Sequence, residues 1–337
     1  MKQRKNKTFV IAEAGSNHNG EFETAKKLID VAVDAKADAV KFQSFRADKL
    51  FSTKAGKVNT FDVFELFRPR ETPHSWNKEL KLYCDDHNIE FMSTPFDEEA
   101  VDVLYNIGVK RFKVAGFEST DLRFIKYVAS TRLPIIISAG LECGKEMISR
   151  IIDTCHSVGC KDITILHCNS AYPTPQTDIN LDTIKMLADN FKDHIKVGFS
   201  DHTTSPITPA LAVGYGAACI EKHYTLSKTM EGPDHSFAVE PNELKQMIEF
   251  IRLAEQSRGY KTGVTESEME SIQGRRSVVL KRDVVAGEKL SVDTLTTKRP
   301  YYDGCIKAEK FFELVEKDSC FLLDLEKDEF LKDEYYR

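Results

Sequence analysis

Two histidines occupy matching positions in this sequence and could bind a metal ion together. His202 ends the tripeptide SDH at 200–202, and His223 ends EKH at 221–223. Each tripeptide follows a short apolar run typical of a buried strand, and one helix-length segment, 206–216, separates them. Successive parallel strands end at the same edge of a sheet, where two neutral imidazoles could ligate a divalent cation. The alternative is that each histidine is a polar loop residue bonded locally, but the acids beside both histidines favour a site.

Two lysines, Lys41 and Lys113, fall inside predicted strands, where an uncompensated charge is costly. Serine, threonine and glutamine donors at neighbouring strand ends indicate that the partner is a phosphate or carboxylate of a ligand. The alternative is a structural salt bridge to Glu13 or Glu118. The pattern as a whole predicts a phosphorylated small molecule beside a divalent metal, and the order of residues gives no acyl-transfer triad.

The strands that would position these residues number eight. Apolar, β-branched runs alternate with helix-length segments along the chain. The predicted strands are Phe9–Ala14, Ala39–Phe45, Glu90–Thr94, Arg111–Ala115, Pro134–Ser138, Ile163–Cys168, Lys196–Phe199 and Ala218–Glu221. Eight such units predict a (β/α)8 TIM barrel, whose functional residues gather at the carboxyl ends of the strands. A doubly wound open sheet is the alternative, but no Gly-x-Gly-x-x-Gly turn follows any strand.

A small second domain is predicted after the barrel. Residues 258–273 are polar and contain two glycines, which is typical of a linker. Beyond them, Ser277–Leu280 reads as a short strand, and another short segment spans 290–297. The predicted division is therefore a barrel over 1–257, a linker over 258–273 and a mostly β domain over 274–337.

Composition excludes several classes of protein. The 337 residues are 41% hydrophobic, enough for a large core, and a net charge of −6 gives no reason to expect nucleic acid binding. No apolar run approaches the length of a membrane span. The eight cysteines form no C-x-x-C pair and no signal peptide is recognisable, so we expect reduced thiols in a cytoplasmic protein.

Motifs along nearly the whole chain resemble the sialic acid synthases, which include the pseudaminic acid, legionaminic acid and spore-coat polysaccharide branches. In the barrel they are IAEAGSNHNG (11–20), ADAVKFQSF (37–45), STPFD (93–97), FKVAGFE (112–118), HCNSAYPTP (167–175), GFSDHT (198–203), IEKHYTL (220–226) and GPDHSFAVEPNEL (232–244). The stretches RRSVVLKRDVVAGEKL (275–290) and LTTKRP (295–300) resemble the antifreeze-like (SAF) domain that ends these enzymes. The resemblance thus implies a TIM barrel followed by a SAF domain.

The resemblance also implies a role for each matching position. His202 and His223 would bind the divalent ion, Mn²⁺ or Mg²⁺. Glu13, Glu118, Tyr172 and Asp234 would act on the sugar and its reacting hydroxyls, and Glu221 would support the metal region. Phosphoenolpyruvate would be held by Lys41, Gln43, Thr94, Lys113, Ser138, Ser170 and Ser200. Arg299 would reach the active site of the partner subunit, because the family forms domain-swapped homodimers.

The implied reaction condenses phosphoenolpyruvate with an open-chain N-acetylated hexosamine, such as N-acetylmannosamine, to give a nine-carbon 2-keto sugar acid and phosphate. One alternative is the same chemistry on a di-N-acetylated 6-deoxy sugar. Another is a related aldol-type enzyme acting on a phosphorylated sugar aldehyde, but no second basic patch is evident. The alternative of another class is a catalytically silent carbohydrate-binding or scaffold protein, which would not need the histidine pair.

Two departures from the family pattern bear on the acceptor sugar. The family often has Ser-Gly-Glu after the lysine of the fourth strand, whereas this chain has Gly-Phe-Glu at 116–118. After the fifth strand the family usually has Thr-Gly-Met, whereas this chain has Ala-Gly-Leu at 139–141. An aromatic residue at 117 is similar to the pseudaminic and spore-coat branches, whereas GPDHS at 232–236 is similar to the N-acetylneuraminate and legionaminate branches. The acceptor therefore stays open at this point.

Overall fold

Eight parallel strands form the centre of the first of two compact units. The computed structural model describes residues 7–52, 54, 57–58, 61–141 and 143–337. Contacts divide the chain into Met1–Arg258 and Gly259–Arg337. The strands of the first unit are β1 Phe9–Gly15, β2 Ala39–Ser44, β3 Glu90–Pro95, β4 Phe112–Val114, β5 Ile135–Ala139, β6 Ile163–Cys168, β7 Lys196–Asp201 and β8 Cys219–His223.

The sheet curls into a nearly closed barrel. Its order is β3-β2-β1-β8-β7-β6-β5-β4, and every hydrogen-bonded neighbour runs parallel. The two end strands, β3 and β4, contact each other, which brings the edges of the sheet together. The prediction of a (β/α)8 barrel is confirmed.

Amphipathic helices follow the strands and cover the outside of the barrel. The main ones are Phe22–Asp34, His74–Asp86, Glu98–Asn106, Leu122–Ser130, Lys145–Ser157, Asp182–Phe191, Thr208–Gly214 and Pro241–Ser257. Asp121 caps the helix Leu122–Ser130, because its carboxylate accepts a hydrogen bond from the backbone N–H of Phe124 at 3.0 Å. The apolar faces pack against outward-facing strand residues such as Val10 and Val40 to form the main core.

The loop after β2 carries short elements that the sequence pattern did not predict. They are the helices Ala47–Leu50 and Val63–Phe67, the paired strands Lys57–Val58 and Phe61–Asp62, and the 3-10 helix Arg68–Arg70. A further 3-10 turn, Gln176–Asp178, follows β6. Elements this short lack the repeats of hydrophobic residues from which longer elements are recognised.

The interior of the barrel is apolar at one end and polar at the other. Its apolar layer consists of Ile11, Ala39, Met92, Ile136, Leu166 and Cys219. Gly198 completes this layer, because a Cβ there would lie 2.4 Å from the carbonyl oxygen of Cys219. Residues two positions further along each strand face the same interior, so this layer supports the residues at the carboxyl end.

Two strand ends differ from the prediction in a way that matters for chemistry. β7 extends through Asp201 and β8 through His223. The tripeptides SDH (200–202) and EKH (221–223) therefore lie largely inside strands. The sequence prediction ended these two strands earlier, at Phe199 and at Glu221. In the fold, Glu221 and His223 face inward while Lys222 faces outward, which the alternation of a strand allows.

The second unit contains a small antiparallel sheet. Its strands, Ser277–Leu280 and Leu295–Lys298, pair in antiparallel fashion and share a core with residues such as Phe321 and Leu331. One helix, Phe311–Glu316, and 3-10 turns at Ala308–Lys310 and Asp333–Tyr335 complete it. A 3-10 helix, Glu266–Gly274, occupies much of the segment predicted to be a linker. Within the described residues of both units, no helix is long and apolar enough to cross a membrane.

Candidate active site

Two buried lysines and two buried glutamates form an ion-pair network inside the carboxyl end of the barrel. The ammonium of Lys41 lies 3.0 Å from Oε2 of Glu13 and 3.7 Å from Oε2 of Glu221. The ammonium of Lys113 lies 3.5 Å from Oε1 of Glu221. The structural pairing considered for Lys41 with Glu13 is therefore present, whereas Lys113 approaches Glu221 from a distance too long for a strong hydrogen bond.

Neutral hydroxyls complete the surroundings of the lysines. Lys41 donates to Oγ1 of Thr94 at 2.8 Å, and Lys113 donates to Oγ of Ser138 at 2.8 Å and to the carbonyl of Val114 at 3.0 Å. The hydrogen bonds of Lys113 are thus to neutral oxygens. A buried ammonium bonded in this way favours an additional anionic partner such as phosphate.

Gln43 and Ser200 extend the network to either side. Gln43 donates from Nε2 to Oε1 of Glu13 at 3.0 Å, and Ser200 donates from Oγ to Oε1 of Glu221 at 3.3 Å. The fold therefore brings together eight of the residues predicted from the sequence: Glu13, Lys41, Gln43, Thr94, Lys113, Ser138, Ser200 and Glu221.

The pKa values of the two glutamates and the two lysines of this network are shifted in different directions. Burial raises the pKa of Glu13 to about 7. Burial also opposes ionisation of Glu221, but Lys113 and Lys41 outweigh it and lower the pKa of that carboxyl. Burial lowers the pKa of Lys113, whereas for Lys41 the charges of Glu13 and Glu221 overcome burial and raise the pKa. Lys113 is consequently the lysine whose charge the protein compensates less.

The two histidines lie side by side next to this network. Their ring centroids are 5.4 Å apart. Nδ1 of His202 donates to the carbonyl of Asn169 at 2.7 Å, which leaves the lone pair of its Nε2 free. Nδ1 of His223 is buried, has no hydrogen-bond partner in the described part of the chain, and lies 3.7 Å from Oδ2 of Asp234. Burial lowers the pKa of both imidazoles, so both are neutral near pH 7.

A divalent cation fits the donors of this pair. Neutral imidazoles with an available lone pair are suitable ligands, and a buried Nδ1 without a partner is costly unless something binds nearby. In the part of the chain that the structure describes, no group of three or more His, Cys, Asp or Glu side chains is arranged to hold a metal. His202 and His223 would therefore share the ion with water or substrate oxygens.

An aromatic wall faces the histidines. The ring of Tyr172 lies 4.1 Å from that of His202, and the ring of Phe237 lies 5.6 Å from Tyr172 and 5.3 Å from His223. Tyr172 was predicted from the sequence as a site residue, whereas Phe237 was not. The sequence feature that could have identified Phe237 as a site residue is its position three residues after Asp234, in the loop after β8.

Polar atoms without partners border the site on the side of β4 to β6. Oγ of Ser170 and Oε2 of Glu118 are buried and have no hydrogen-bond partner among the described residues. Gly140 lies against both Ser170 and Gly116, because a Cβ on Gly140 would approach their Oγ and carbonyl oxygen to 2.9 and 2.8 Å. Burial raises the pKa of Glu118 to about 6. Such a concentration of unpaired polar atoms is typical of a ligand site.

Comparison with known sequences identifies the family. The sequence model of the NeuB family matches residues 28–263. This chain belongs to the NeuB family. The N,N'-diacetyllegionaminic acid synthase of Campylobacter jejuni is 42% identical over 87% of this chain and 91% of the relative. The human N-acetylneuraminate-9-phosphate synthase is 32% identical over 97% and 92% of the two chains.

A solved structure extends the comparison of this NeuB-family chain to three dimensions. The N-acetylneuraminic acid (sialic acid) synthetase of Leptospira borgpetersenii serovar Hardjo-bovis superposes with a TM-score of 0.73 at 32% identity. The match covers 80% of this chain and 92% of the other. The resemblance to the sialic acid synthases that the motifs indicated is confirmed at the level of the family.

One predicted residue lies outside the barrel of this NeuB-family protein. Arg299 belongs to the second unit, where it is exposed just after the strand Leu295–Lys298. Its predicted role at the site of a partner subunit stays a prediction. Asp234 lies in the barrel unit beside His223, and burial raises the pKa of its carboxyl to about 6.

A buried ion pair that the sequence did not suggest lies behind the histidines. Lys222 donates to Oδ2 of Asp201 at 2.7 Å, and both side chains are at most 1% exposed. Oδ1 of Asp201 also accepts from the N–H of Thr203 at 2.9 Å. The pair joins β7 and β8 on their outer face, directly beside His202 and His223 in sequence. The sequence feature that could have revealed the Asp201–Lys222 pair is the alternation of inward-facing and outward-facing residues along both strands.

The loop after β1 is expected to make stability depend on pH through His18. His18 is fully buried; its Nδ1 accepts from the N–H of Gly20 at 3.0 Å and its Nε2 lies 3.0 Å from Oγ1 of Thr72. Burial lowers its pKa to about 4, below its value in an unfolded chain, so protonation favours unfolding. This contribution to stability is present above pH 6.5 and is lost as the pH falls toward 4.

Urea denaturation at pH 7 and pH 5 tests this expectation. We expect His18 to account for a loss of about 2 kcal/mol in the free energy of unfolding between these two pH values. The His18→Gln variant, although less stable at pH 7, should lose correspondingly less on acidification. An equal loss in the variant and the wild type would contradict the assignment.

Proposed function

We propose that this protein condenses phosphoenolpyruvate with an open-chain N-acetylated hexosamine, such as N-acetylmannosamine, to give a nine-carbon 2-keto sugar acid and phosphate. The observation that carries the proposal is the pair of buried lysines, Lys41 and Lys113, meeting Glu221 beside the histidine pair. Membership of the NeuB family, whose relatives are named as sialic-type acid synthases, supports it.

Phosphoenolpyruvate would bind over the lysines. Its phosphate and carboxylate would take donors from Lys41, Gln43, Thr94, Lys113, Ser138, Ser170 and Ser200. Lys113 would contribute most, because its hydrogen bonds inside the protein are to neutral oxygens. Charge-assisted bonds of this kind would hold the phosphate while negative charge develops on it.

The reaction then follows from the chemistry of the enol ester. C3 of phosphoenolpyruvate attacks the aldehyde carbon of the sugar and forms the new C–C bond. A water adds to C2, which has become electron-poor, and the C2–O bond breaks so that the phosphate leaves with the bridging oxygen. Glu13, Glu118, Tyr172 and Asp234 would orient the sugar and exchange protons with the aldehyde oxygen and the water.

A divalent ion, Mn²⁺ or Mg²⁺, would be held by His202 and His223, with Glu221 nearby. When bound it would supply Lewis-acid polarisation of the aldehyde. The chain's own contribution is to keep both imidazoles neutral by burial and to fix the ring of His202 through the carbonyl of Asn169.

The same chemistry on a di-N-acetylated 6-deoxy sugar is the second candidate. It is supported by the 42% identity to a relative named as an N,N'-diacetyllegionaminic acid synthase. The site supports a synthase over a silent carbohydrate-binding protein, because binding a neutral sugar does not require two buried lysines beside a histidine pair.

The assembly and location belong to the same proposal. We infer a domain-swapped homodimer in which Arg299 of the second unit, a SAF domain, completes the partner's active site. All eight cysteines lie in the described residues, and each is a free thiol, which supports a cytoplasmic location.

Release of inorganic phosphate tests the proposal. We expect the wild-type protein to release phosphate from phosphoenolpyruvate only when both Mn²⁺ and an N-acetylated hexosamine are present. N-acetylmannosamine, 2,4-diacetamido-6-deoxymannose and 2,4-diacetamido-altrose derivatives would be compared. With ¹⁸O in the bridging position, the label should leave with the phosphate because the C2–O bond breaks. Phosphate without label, or none with any of these acceptors, would rule out the proposed reaction.

A further inference from the structure

The segment around Arg70, in the loop after β2, is fixed firmly beside the candidate site. The ring of Phe67 lies 5.8 Å from that of Phe45, edge to face, at the carboxyl end of β2. The carboxylate of Glu71 accepts from the N–H of Ala47 at 2.7 Å. These contacts flank Arg70 on both sides in sequence, so its backbone is held in place.

The same segment packs directly on the loop after β1. The carbonyl of Pro69 approaches Gly20 so closely that a Cβ there would lie only 2.7 Å from it. Gly20 also has a positive φ of 77°, which favours glycine at this position. Two residues beyond Arg70, the hydroxyl of Thr72 lies 3.0 Å from Nε2 of His18. The 3-10 helix that ends at Arg70 is therefore attached to the carboxyl end of the barrel.

The guanidinium of Arg70 is left with unused donors. Nη1 donates to the carbonyl of Leu66 at 2.5 Å, whereas Nε is buried and has no hydrogen-bond partner among the residues described by the structure. Within the described residues, no carboxylate lies within the 4.0 Å that would make an ion pair with it. An arginine held in place, partly buried and without an ion pair is unusual for a purely structural side chain.

Arg70 lies close to the acceptor side of the site. Its charge acts on Asp234, where it opposes the rise in pKa that burial causes, and burial and Arg70 together lower the pKa of His235. Asp234 lies next to Gly15, whose Cβ position is 3.4 Å from Oδ2 of Asp234 and 3.5 Å from Oε1 of Glu13. Arg70 is thus a neighbour of groups that the proposed function assigns to the sugar.

We propose that Arg70 is a specificity-determining residue that donates a hydrogen bond to a neutral oxygen of the acceptor sugar, a hydroxyl or an acetamido carbonyl. This inference rests on the proposed function and adds a residue to its acceptor site. Neither the histidine and lysine pattern nor the strand ends pointed to Arg70, because it lies in a long loop outside the barrel strands.

The surroundings favour a neutral oxygen over a phosphate. The charge of Arg70 acts on the carboxyl of Asp234, and both Asp234 and Glu13 lie close to Gly15. A phosphate dianion would be repelled by these carboxyls and would meet one guanidinium. A carbonyl or hydroxyl oxygen can accept from Nε–H without bringing a second negative charge into the site.

Steady-state kinetics of Arg70→Met test the inference. For N-acetylmannosamine or 2,4-diacetamido-6-deoxymannose, whichever the wild type turns over, kcat/KM should fall about 10- to 100-fold, as expected for loss of one charge-assisted hydrogen bond. The KM for phosphoenolpyruvate should stay within about twofold, because the inference assigns Arg70 to the acceptor sugar and not to phosphoenolpyruvate. Arg70→Lys, which keeps the charge but loses Nε–H, should recover only part of the loss.

Arg68→Met is the matched control, since Arg68 belongs to the same 3-10 helix but is exposed and stacks near Phe64. It should leave both kinetic constants unchanged. Equal acceptor kcat/KM in wild type and Arg70→Met, or a parallel rise in the KM for phosphoenolpyruvate, would overturn the inference while leaving the proposed function intact. Preference of the wild type for N-acetylmannosamine 6-phosphate that disappears in Arg70→Met would overturn the choice of a neutral oxygen. A wild type without turnover would overturn both proposals.

Discussion

Replacing His223 by alanine is expected to abolish turnover while the protein stays folded. The variant removes one of two neighbouring imidazoles whose centroids lie 5.4 Å apart, and with it a protein ligand of the proposed metal ion. Loss of Lewis-acid stabilisation worth about 4 kcal/mol would lower kcat about 1000-fold. Folding should change little, because Nδ1 of His223 has no hydrogen-bond partner to lose within the described residues.

A measurement of Mn²⁺ affinity distinguishes the loss of a metal ligand in His223→Ala from a general loss of activity. The concentration of free Mn²⁺, measured by electron paramagnetic resonance, should show binding by the wild type that is weakened at least about tenfold in His223→Ala. His156→Ala is the control, because His156 is exposed on the helix Lys145–Ser157. Unchanged Mn²⁺ binding by His223→Ala, or full activity in metal-free buffer, would exclude the metal role.

Replacing Lys113 by methionine is the second change with a large expected effect. Among the residues that the structure describes, its ammonium donates hydrogen bonds only to the neutral oxygens of Ser138 and Val114, and it lies 3.5 Å from Oε1 of Glu221. If it binds the phosphate of phosphoenolpyruvate, kcat/KM for that substrate should fall about 100- to 1000-fold, as for loss of one preorganised donor in a buried site. The KM for the sugar should change far less.

Two further variants serve for comparison with Lys113→Met: one should have a smaller effect on kcat/KM and the other none. Ser138→Ala removes one of the two neutral partners of the Lys113 ammonium. It should lower kcat/KM for phosphoenolpyruvate about fivefold, the equivalent of one neutral hydrogen bond. Lys110→Met changes an exposed lysine near the start of β4 and should have no effect. Calorimetry would measure phosphoenolpyruvate binding directly, and binding by Lys113→Met as tight as by the wild type would contradict the assignment.

The barrel could be predicted from sequence because its signals are local and repeated. Each of the eight strands is an apolar run followed by a helix-length segment, and the spacing of His202 and His223 placed them on neighbouring strands. The side chains of Lys41 and Lys113 were recognisable because lysine is rare inside a buried strand. These inferences need only the period of a strand and the direction of a parallel sheet.

What the sequence could not give depends on contacts between distant segments. The carboxylate that pairs with Lys113 is that of Glu221, although Glu118 is closer in sequence. Strand β8 brings Glu221 to the centre of the barrel, whereas Glu118 lies beyond the end of β4. The outer pair of Asp201 and Lys222 was hidden because β7 and β8 were predicted to end earlier. Arg70 lies in short helices and turns whose position depends on packing against Gly20.

The division of the site between strands and loops has a consequence for how such enzymes diverge. Lys41, Lys113 and Glu221 lie within barrel strands, whereas Asp234 and Arg70 lie on connections that can be lengthened or exchanged at little cost to the barrel. Grafting the loop after β2 from a relative with another acceptor should therefore redirect such an enzyme to a new sugar while its bond-forming machinery is inherited unchanged.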